Sequence, residues 1–128
     1  MKENIINYLD EKYSKRLLKI KDFPNNLYYV GNVSLMNKDK IVAIVGSREC
    51  SEYGRSVAQN FAKELAKNNI CIISGLAKGI DTSAHIGAVY EKGNTIAVLG
   101  GGLNNIYPPE NDWLFKLIKA KGGLILSE

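Results

Sequence analysis

Three glycine-rich segments each follow a short apolar run, and their residue types are suited to binding an anion. They are "GSR" at residues 46–48, "SGLAKG" at 74–79 and "GGG" at 100–102. Glycine lets backbone N–H groups approach an anion without an intervening Cβ, and a following helix adds unpaired amides and a partial positive charge. We therefore predict a phosphate site formed by Gly46, Ser47, Arg48, Ser74, Gly75, Lys78, Gly79, His85, Gly100, Gly101 and Gly102.

Two cations stand inside these segments. Arg48 can place its planar guanidinium on a phosphate or stack it on a base, whereas Lys78 would add a mobile point charge. The alternative for Arg48 is a solvated surface arginine. Its position directly after an apolar strand and Gly46-Ser47 favours the ligand role.

Asp81 and His85 lie four residues apart, so both can face one side of a helix. Asp81 is expected to cap that helix or to orient Lys78 or His85. The imidazole of His85 either contacts the ligand or is a buried, hydrogen-bonded histidine, and the sequence does not choose between these. Catalysis by His85 is favoured less than either, because no nucleophile or second carboxylate is evident beside it.

The third segment has its own alternatives. Three consecutive glycines are costly in chain entropy, so close approach of a ligand to residues 100–102 is favoured over a mere turn. Tyr107, with Pro108 after it, could form a wall of the crevice. An ordinary packed aromatic is the favoured interpretation of Tyr107.

Other chemistries fit these loops less well. The first turn, "GSRECSEYG", is not the glycine fingerprint of a dinucleotide site, and a P-loop would need Gly-Lys followed by Ser or Thr rather than Lys78-Gly79-Ile80. No paired carboxylates suit hydrolysis, and a single histidine leaves zinc without grouped ligands. We expect no metal, no cofactor and no catalytic residue, and therefore a binding protein rather than an enzyme.

The surrounding segments alternate between strand and helix patterns. Continuous apolar runs predict strands at residues 41–45, 70–74, 95–100 and 123–127, the first of them buried on both faces. Helical patterns lie between them, after Ser51, around residues 82–91 and over 112–121. This alternation implies right-handed crossovers and a parallel α/β sheet. In such a sheet the loops after the strands meet at one edge, where ligands bind.

The first third of the chain has a different pattern. Residues 4–20 place apolar side chains at helical spacing, which predicts an amphipathic helix packed on its own domain or on a partner rather than on a membrane surface. "LYYVGN" at residues 27–32 predicts a short strand closed by a turn. We expect one domain overall, in which the helix and lead-in strand of residues 1–40 pack on a core of residues 41–128.

The composition limits the class of protein. The 128 residues carry a formal net charge of +4 with a pI of about 9.0, but residues 1–40 hold eight Lys/Arg against five Asp/Glu, so bulk charge does not single out the core. No apolar run is long enough to cross a bilayer, and the N-terminus has no apolar signal core. Cys50 and Cys71 lack metal or redox spacing and are expected to be reduced thiols in a cytoplasmic protein.

Four blocks in register, "IVAIVGSRECSEYG", "IISGLAKGIDTSAHIGA", "TIAVLGGGLNNIYPPEN" and "GGLILSE", resemble the DNA-processing protein A (DprA/Smf) family. Their order and spacing match, and the resemblance covers the chain from residue 13 onward. It implies a Rossmann-like three-layer sandwich with a mainly parallel sheet. That sandwich is expected to be incomplete relative to the family, whose members continue beyond Glu128 through further strands and an Arg-Asn-Arg segment.

The resemblance also implies a function. Members of the family are nonenzymatic proteins that bind single-stranded DNA and help to load RecA recombinase during natural transformation. On family grounds, Arg48 and Lys78 match DNA-contacting cations, and the "GGG" segment matches a third loop of the pocket. The phosphate-facing turns match Gly46, Ser47, Ser74, Gly75 and Gly79. RecA and a second copy of this chain are candidate partners on the same grounds.

Two alternatives stand beside this function. Phosphoribohydrolases use a comparable crevice, but "GGGLNNIYPPE" lacks their Thr and downstream catalytic Glu at matching places, which leaves Glu110 as the nearby acid, with Asp112 following. The other alternative is a truncated core without activity. Its sheet edge after "GLILS" could pair with another copy of the chain.

Overall fold

The computed structural model describes residues 4–128, in which six strands form one sheet. The strands are β1 (Asn4–Asn7), β2 (Asn26–Gly31), β3 (Ile41–Ala43), β4 (Cys71–Ser74), β5 (Thr95–Leu99) and β6 (Leu124–Ser127). The helices are α1 (Glu52–Lys67), α2 (Ile80–Val89) and α3 (Asp112–Ala120). In the sheet order β1-β2-β6-β5-β4-β3, strands β3 to β6 are parallel, and β2 and β1 extend the sheet beyond β6 in antiparallel pairing. The expected α/β fold with a mainly parallel sheet is confirmed.

The three helices lie on one face of this sheet. Each helix connects neighbouring parallel strands that step in the same direction, and right-handed crossovers then place all three on the same side. Small side chains let α1 and α2 approach closely, because Ala62 and Ala88 are fully buried around Ile72 of β4. Leu114 and Ile118 of α3 are fully buried over the neighbouring strands.

The chain between β1 and β3 covers the opposite face and forms the third layer. Its apolar side chains Tyr13, Leu35 and Met36 pack against Ile96 of β5 and Leu124 of β6. Strand β2 pairs directly with β6, so this part of the chain shares one sheet with the core. Residues 1–3 lie outside the described part of the chain.

The helix predicted over residues 4–20 is wrong, because this segment begins as β1 and continues in turns. The side chains of Asn7 and Asp10 accept hydrogen bonds from backbone N–H groups two residues later, at 3.0 and 2.8 Å. Such local bonds compete with those of a helix. Leu9 is 79% exposed, so the apolar stripe that suggested a helix does not face one core.

Two expectations about the edges of the sheet are also wrong. Strand β3, predicted to be buried on both faces, is an edge strand that pairs with β4 alone among residues 4–128, and its Val42 is 37% exposed. Strand β6, predicted to offer a free edge after "GLILS", lies between β2 and β5. The edges of the described sheet are β1 and β3.

The helices begin close to the predicted positions. The hydroxyl of Ser51 accepts a hydrogen bond from the backbone N–H of Gly54 at 3.0 Å and caps α1 as predicted. Helix α2 begins at Ile80, two residues before the predicted start, directly after Gly79 with its φ of 80°. Gly79 therefore turns the chain from the β4 loop into the helix.

The structure also bears on the membrane and cysteine expectations. Among residues 4–128, none of the helices combines the length and the apolar character that spanning a bilayer requires. Cys50 and Cys71 are both free thiols. Cys71 is fully buried in β4, and this burial raises the pKa of its thiol to about 12, as expected for an inert packed cysteine.

Candidate phosphate-binding crevice

The loops after β3, β4 and β5 meet around a cavity of about 580 Å³. Arg48 from the first loop, Lys78 from the second and Gly100 to Gly102 from the third all line it. This is the carboxyl edge of the parallel strands, where open α/β sheets bind ligands. The structure therefore brings the two predicted cations and the triple glycine to one cavity. The opposite wall consists of Tyr107, Pro108, Pro109 and Glu110.

The carboxylate of Asp81 binds the two amides that were expected to face phosphate. Its Oδ2 accepts a hydrogen bond from the N–H of Gly75 at 2.9 Å, and its Oδ1 accepts one from the N–H of Gly46 at 3.4 Å. Asp81 is 6% exposed, so solvent does not compete for these bonds. The expectation that the Gly46 and Gly75 amides face a phosphate is corrected, and Asp81 joins the two loops instead of orienting Lys78 or His85.

Three further predicted phosphate contacts also serve the fold. The hydroxyl of Ser74, which is buried, donates to the Ile44 carbonyl at 2.6 Å. The hydroxyl of Ser47 donates to the Glu49 carbonyl at 2.8 Å and accepts from its N–H at 3.2 Å. A Cβ at Gly79 would collide with the backbone of the Ser47 loop, and the positive φ of Gly79 also favours glycine. Ser74 and Gly79 thus join the first two loops, and Ser47 stabilises a turn within the first loop.

His85 is a buried structural histidine, which corrects its place among the phosphate contacts. It is fully buried; its Nε2 accepts from the N–H of Leu76 at 3.2 Å, and its Nδ1 lies 2.8 Å from Oγ1 of Thr95. Because the Thr95 hydroxyl donates to the Ile72 carbonyl, it accepts from Nδ1–H, and both nitrogens are satisfied by a neutral ring. Burial lowers the pKa of His85 to about 3.

The two cations differ in how they are held. Lys78 Nζ lies 2.5 Å from Oε2 of Glu110, and both side chains are more than half exposed. Its hydrogen bond to Glu110 raises the pKa of Lys78, and the same bond lowers the pKa of the Glu110 carboxyl. Arg48 is exposed and has no hydrogen-bond or ion-pair partner within residues 4–128. One guanidinium is therefore free, and one ammonium is shared with a carboxylate.

The triple glycine is explained differently from the other glycines. A Cβ added at Gly100, Gly101 or Gly102 would meet no heavy atom of residues 4–128 within 4 Å, and only Gly102 of the three has a positive φ, 86°. By contrast, a Cβ at Gly46 would lie 2.8 Å from the side chain of Ile80. Internal packing thus requires glycine in the first loop but not at Gly100 or Gly101, where the backbone borders the cavity.

The sequence indicated Tyr107 with Pro108 as one wall of the crevice, but it did not identify Asn111. Tyr107 is 68% exposed, so its interpretation as an ordinary packed aromatic is wrong. Asn111 is buried, and its Nδ2 donates to the Leu76 carbonyl at 2.8 Å and to Oγ1 of Thr82 at 2.9 Å, which fixes this wall to the β4 loop. The signal available in the sequence was the pair Pro108-Pro109, which stiffens a loop next to an aromatic and an acid.

The described residues offer no obvious metal centre. Residues 4–128 contain no group of three or more His, Cys, Asp or Glu side chains placed to hold a metal ion. The crevice itself presents two cations, open backbone at Gly100 and Gly101 and an aromatic side chain, and cations and open amides are groups that bind anions.

Known proteins are similar to this chain in sequence. The chain matches the family model described as DNA recombination-mediator protein A over residues 4–128. It is 45% identical over 120 residues to DNA processing protein DprA of Streptococcus pneumoniae, covering 94% of this chain and 42% of that protein. The chain thus spans about two fifths of the length of the curated relatives that it matches first.

Solved structures agree with the sequence comparison. The X-ray structure of DNA processing protein A from S. pneumoniae superposes with a TM-score of 0.84 at 41% identity, covering 98% of this chain and 44% of that one. A structure of DNA processing protein A from Helicobacter pylori, determined to describe its single-stranded DNA binding mode, gives a TM-score of 0.83 at 33% identity, covering 98% of this chain and 54% of that one.

The buried His85 predicts acid sensitivity. Its pKa is about 3 in the fold against an ordinary value of 6.5, so between these values the unfolded chain binds more protons. The contribution of neutral His85 to the free energy of unfolding is fully present above pH 6.5 and is lost as the pH falls toward 3. Between pH 7 and pH 5, the wild type should lose about 2 kcal/mol more free energy of unfolding than His85→Gln. Urea titrations at both pH values measure this, and equal losses in the two proteins would contradict it.

Proposed function

Since this chain belongs to the DNA recombination-mediator protein A family, we propose that its crevice binds the phosphate backbone of single-stranded DNA. The observation that carries the proposal is the convergence of Arg48, Lys78 and the open glycine backbone on one cavity. The H. pylori relative supports it, since that protein is described as binding single-stranded DNA. A flexible single strand can present its phosphates to cations in such a crevice.

The proposal extends to the cellular role implied by the family. We assign to the protein a part in DNA uptake during natural transformation, in the cytoplasm, with RecA recombinase as its partner. The family description as a recombination mediator supports this assignment. A homodimer is part of the same proposal, and sedimentation of the chain with and without oligonucleotide tests it.

A binding role is favoured over an enzymatic one by the state of Glu110. A phosphoribohydrolase would need a carboxylate available to the substrate, whereas Glu110 pairs with Lys78 at 2.5 Å and its pKa is lowered by that contact. Incubation with nucleoside monophosphates should release no free base, and turnover that disappears in Glu110→Gln would establish the enzyme instead.

Loss of either cation should weaken DNA binding and its salt dependence together. If about three phosphates are held, the slope of log affinity against log salt concentration should be near −2. Arg48→Ala or Lys78→Ala should each make this slope shallower by about 0.7. Fluorescence anisotropy of a labelled oligothymidylate at several salt concentrations measures both quantities. Lys67→Ala is the matched control, since Lys67 lies at the far end of α1. Unchanged binding in both crevice variants would refute the proposed site.

Removal of the Glu110 charge should strengthen binding. Glu110 competes with phosphate for the Lys78 ammonium, so Glu110→Gln should raise the affinity for single-stranded DNA by up to about fivefold at low salt, with a smaller gain at high salt. Glu64→Gln is the control, because Glu64 pairs with Lys67 away from the crevice. Weaker binding by Glu110→Gln would show instead that the ion pair positions Lys78 for the DNA.

A further inference from the structure

Tyr107 is an exposed aromatic residue on a firmly held loop. It is 68% exposed, although it stands between half-buried Ile106 and buried Pro108. The loop ends at Asn111, whose backbone N–H donates to the Pro108 carbonyl at 2.9 Å and whose side chain donates to the Leu76 carbonyl at 2.8 Å. The fold thus fixes the backbone of Tyr107 while leaving most of its side chain in solvent.

Tyr107 lies between two neighbouring cavities and lines both of them. On one side is the crevice of about 580 Å³ that contains Arg48 and Lys78. On the other is a groove of about 570 Å³, lined by residues that include Asn105 and Phe115. Tyr107 and Lys78 both line this crevice. A nucleotide whose phosphate contacts Lys78 would therefore have its base within reach of the Tyr107 ring.

A lone exposed aromatic on a protein surface needs no explanation, and position distinguishes Tyr107 from the others. Trp113 is 49% exposed and lines neither cavity, and Tyr90 is 62% exposed beyond the opposite end of α2. Tyr53 and Phe61 are also exposed and line neither cavity, so Tyr107 alone of these five borders the two cations. Each of the two cavities that it separates has the volume typical of a small-ligand site.

We propose that Tyr107 is a stacking platform for a nucleobase of the DNA strand whose phosphates lie at Arg48 and Lys78. The proposal rests on the function proposed above and adds the contact that recognises bases. Every base has a π-face, so stacking on Tyr107 adds affinity without selecting a sequence. It also distinguishes DNA from other polyanions, because a bare phosphate chain offers nothing to stack.

The test compares an oligothymidylate with an abasic oligonucleotide of the same length and charge. Tyr107→Ala should bind the oligothymidylate about 5- to 100-fold more weakly than the wild type does. It should bind the abasic strand with the same affinity as the wild type. Tyr107→Phe keeps the ring and should stay within about twofold of the wild type on both strands. Tyr90→Ala, an exposed tyrosine away from the crevice, should match the wild type on both.

The possible outcomes separate this inference from the proposed function. If Tyr107→Ala loses the same factor on both strands, the ring acts through the loop or the phosphates, and stacking is refuted. If Tyr107→Ala binds both strands like the wild type while Arg48→Ala and Lys78→Ala bind weakly, the platform is refuted and the phosphate site stands. If the wild type binds neither strand, the proposed function itself fails. Unchanged thermal unfolding of Tyr107→Ala would show that any loss of binding is not a loss of fold.

Discussion

The carboxylate of Asp81 fixes the loops from which the crevice is built. It accepts hydrogen bonds from Gly46 after β3 and from Gly75 after β4, and it lies in the first turn of α2, where the helix favours a negative group. A side chain of the protein thus occupies the place that an external anion takes in many glycine-rich turns. The loops are therefore ordered before any ligand arrives, and a ligand must be bound by groups that Asp81 leaves free.

The glycines of the three loops are of two kinds. Gly46 and Gly79 allow the first two loops and α2 to pack closely, since a Cβ at either position would meet neighbouring atoms. Gly100 and Gly101 have no such neighbours among residues 4–128, and they face the cavity beside Arg48. The first kind of glycine serves the fold, and the second keeps the backbone accessible. This difference is why the proposed anion site lies toward the third loop and the two cations.

The sequence predicts the features that depend on local pattern and fails where the outcome depends on distant partners. The parallel strands and their helices follow from apolar runs and from the Ser51 cap, and Arg48 and Lys78 follow from their positions after strands. The edge position of β3 depends on strand order, which periodicity does not contain. The burial of His85 depends on Thr95 in another strand, and the exposure of Tyr107 depends on how the wall is anchored.

The most direct test of the crevice is an amide chemical-shift titration with single-stranded DNA. We expect the backbone N–H signals of Gly100 and Gly101 and the guanidinium signal of Arg48 to shift as oligothymidylate is added. The N–H signals of Gly46 and Gly75 should move little, because Asp81 keeps both of them bound. The opposite pattern, with Gly46 and Gly75 shifting and the third loop unchanged, would show that phosphate displaces Asp81 and would contradict the site described here.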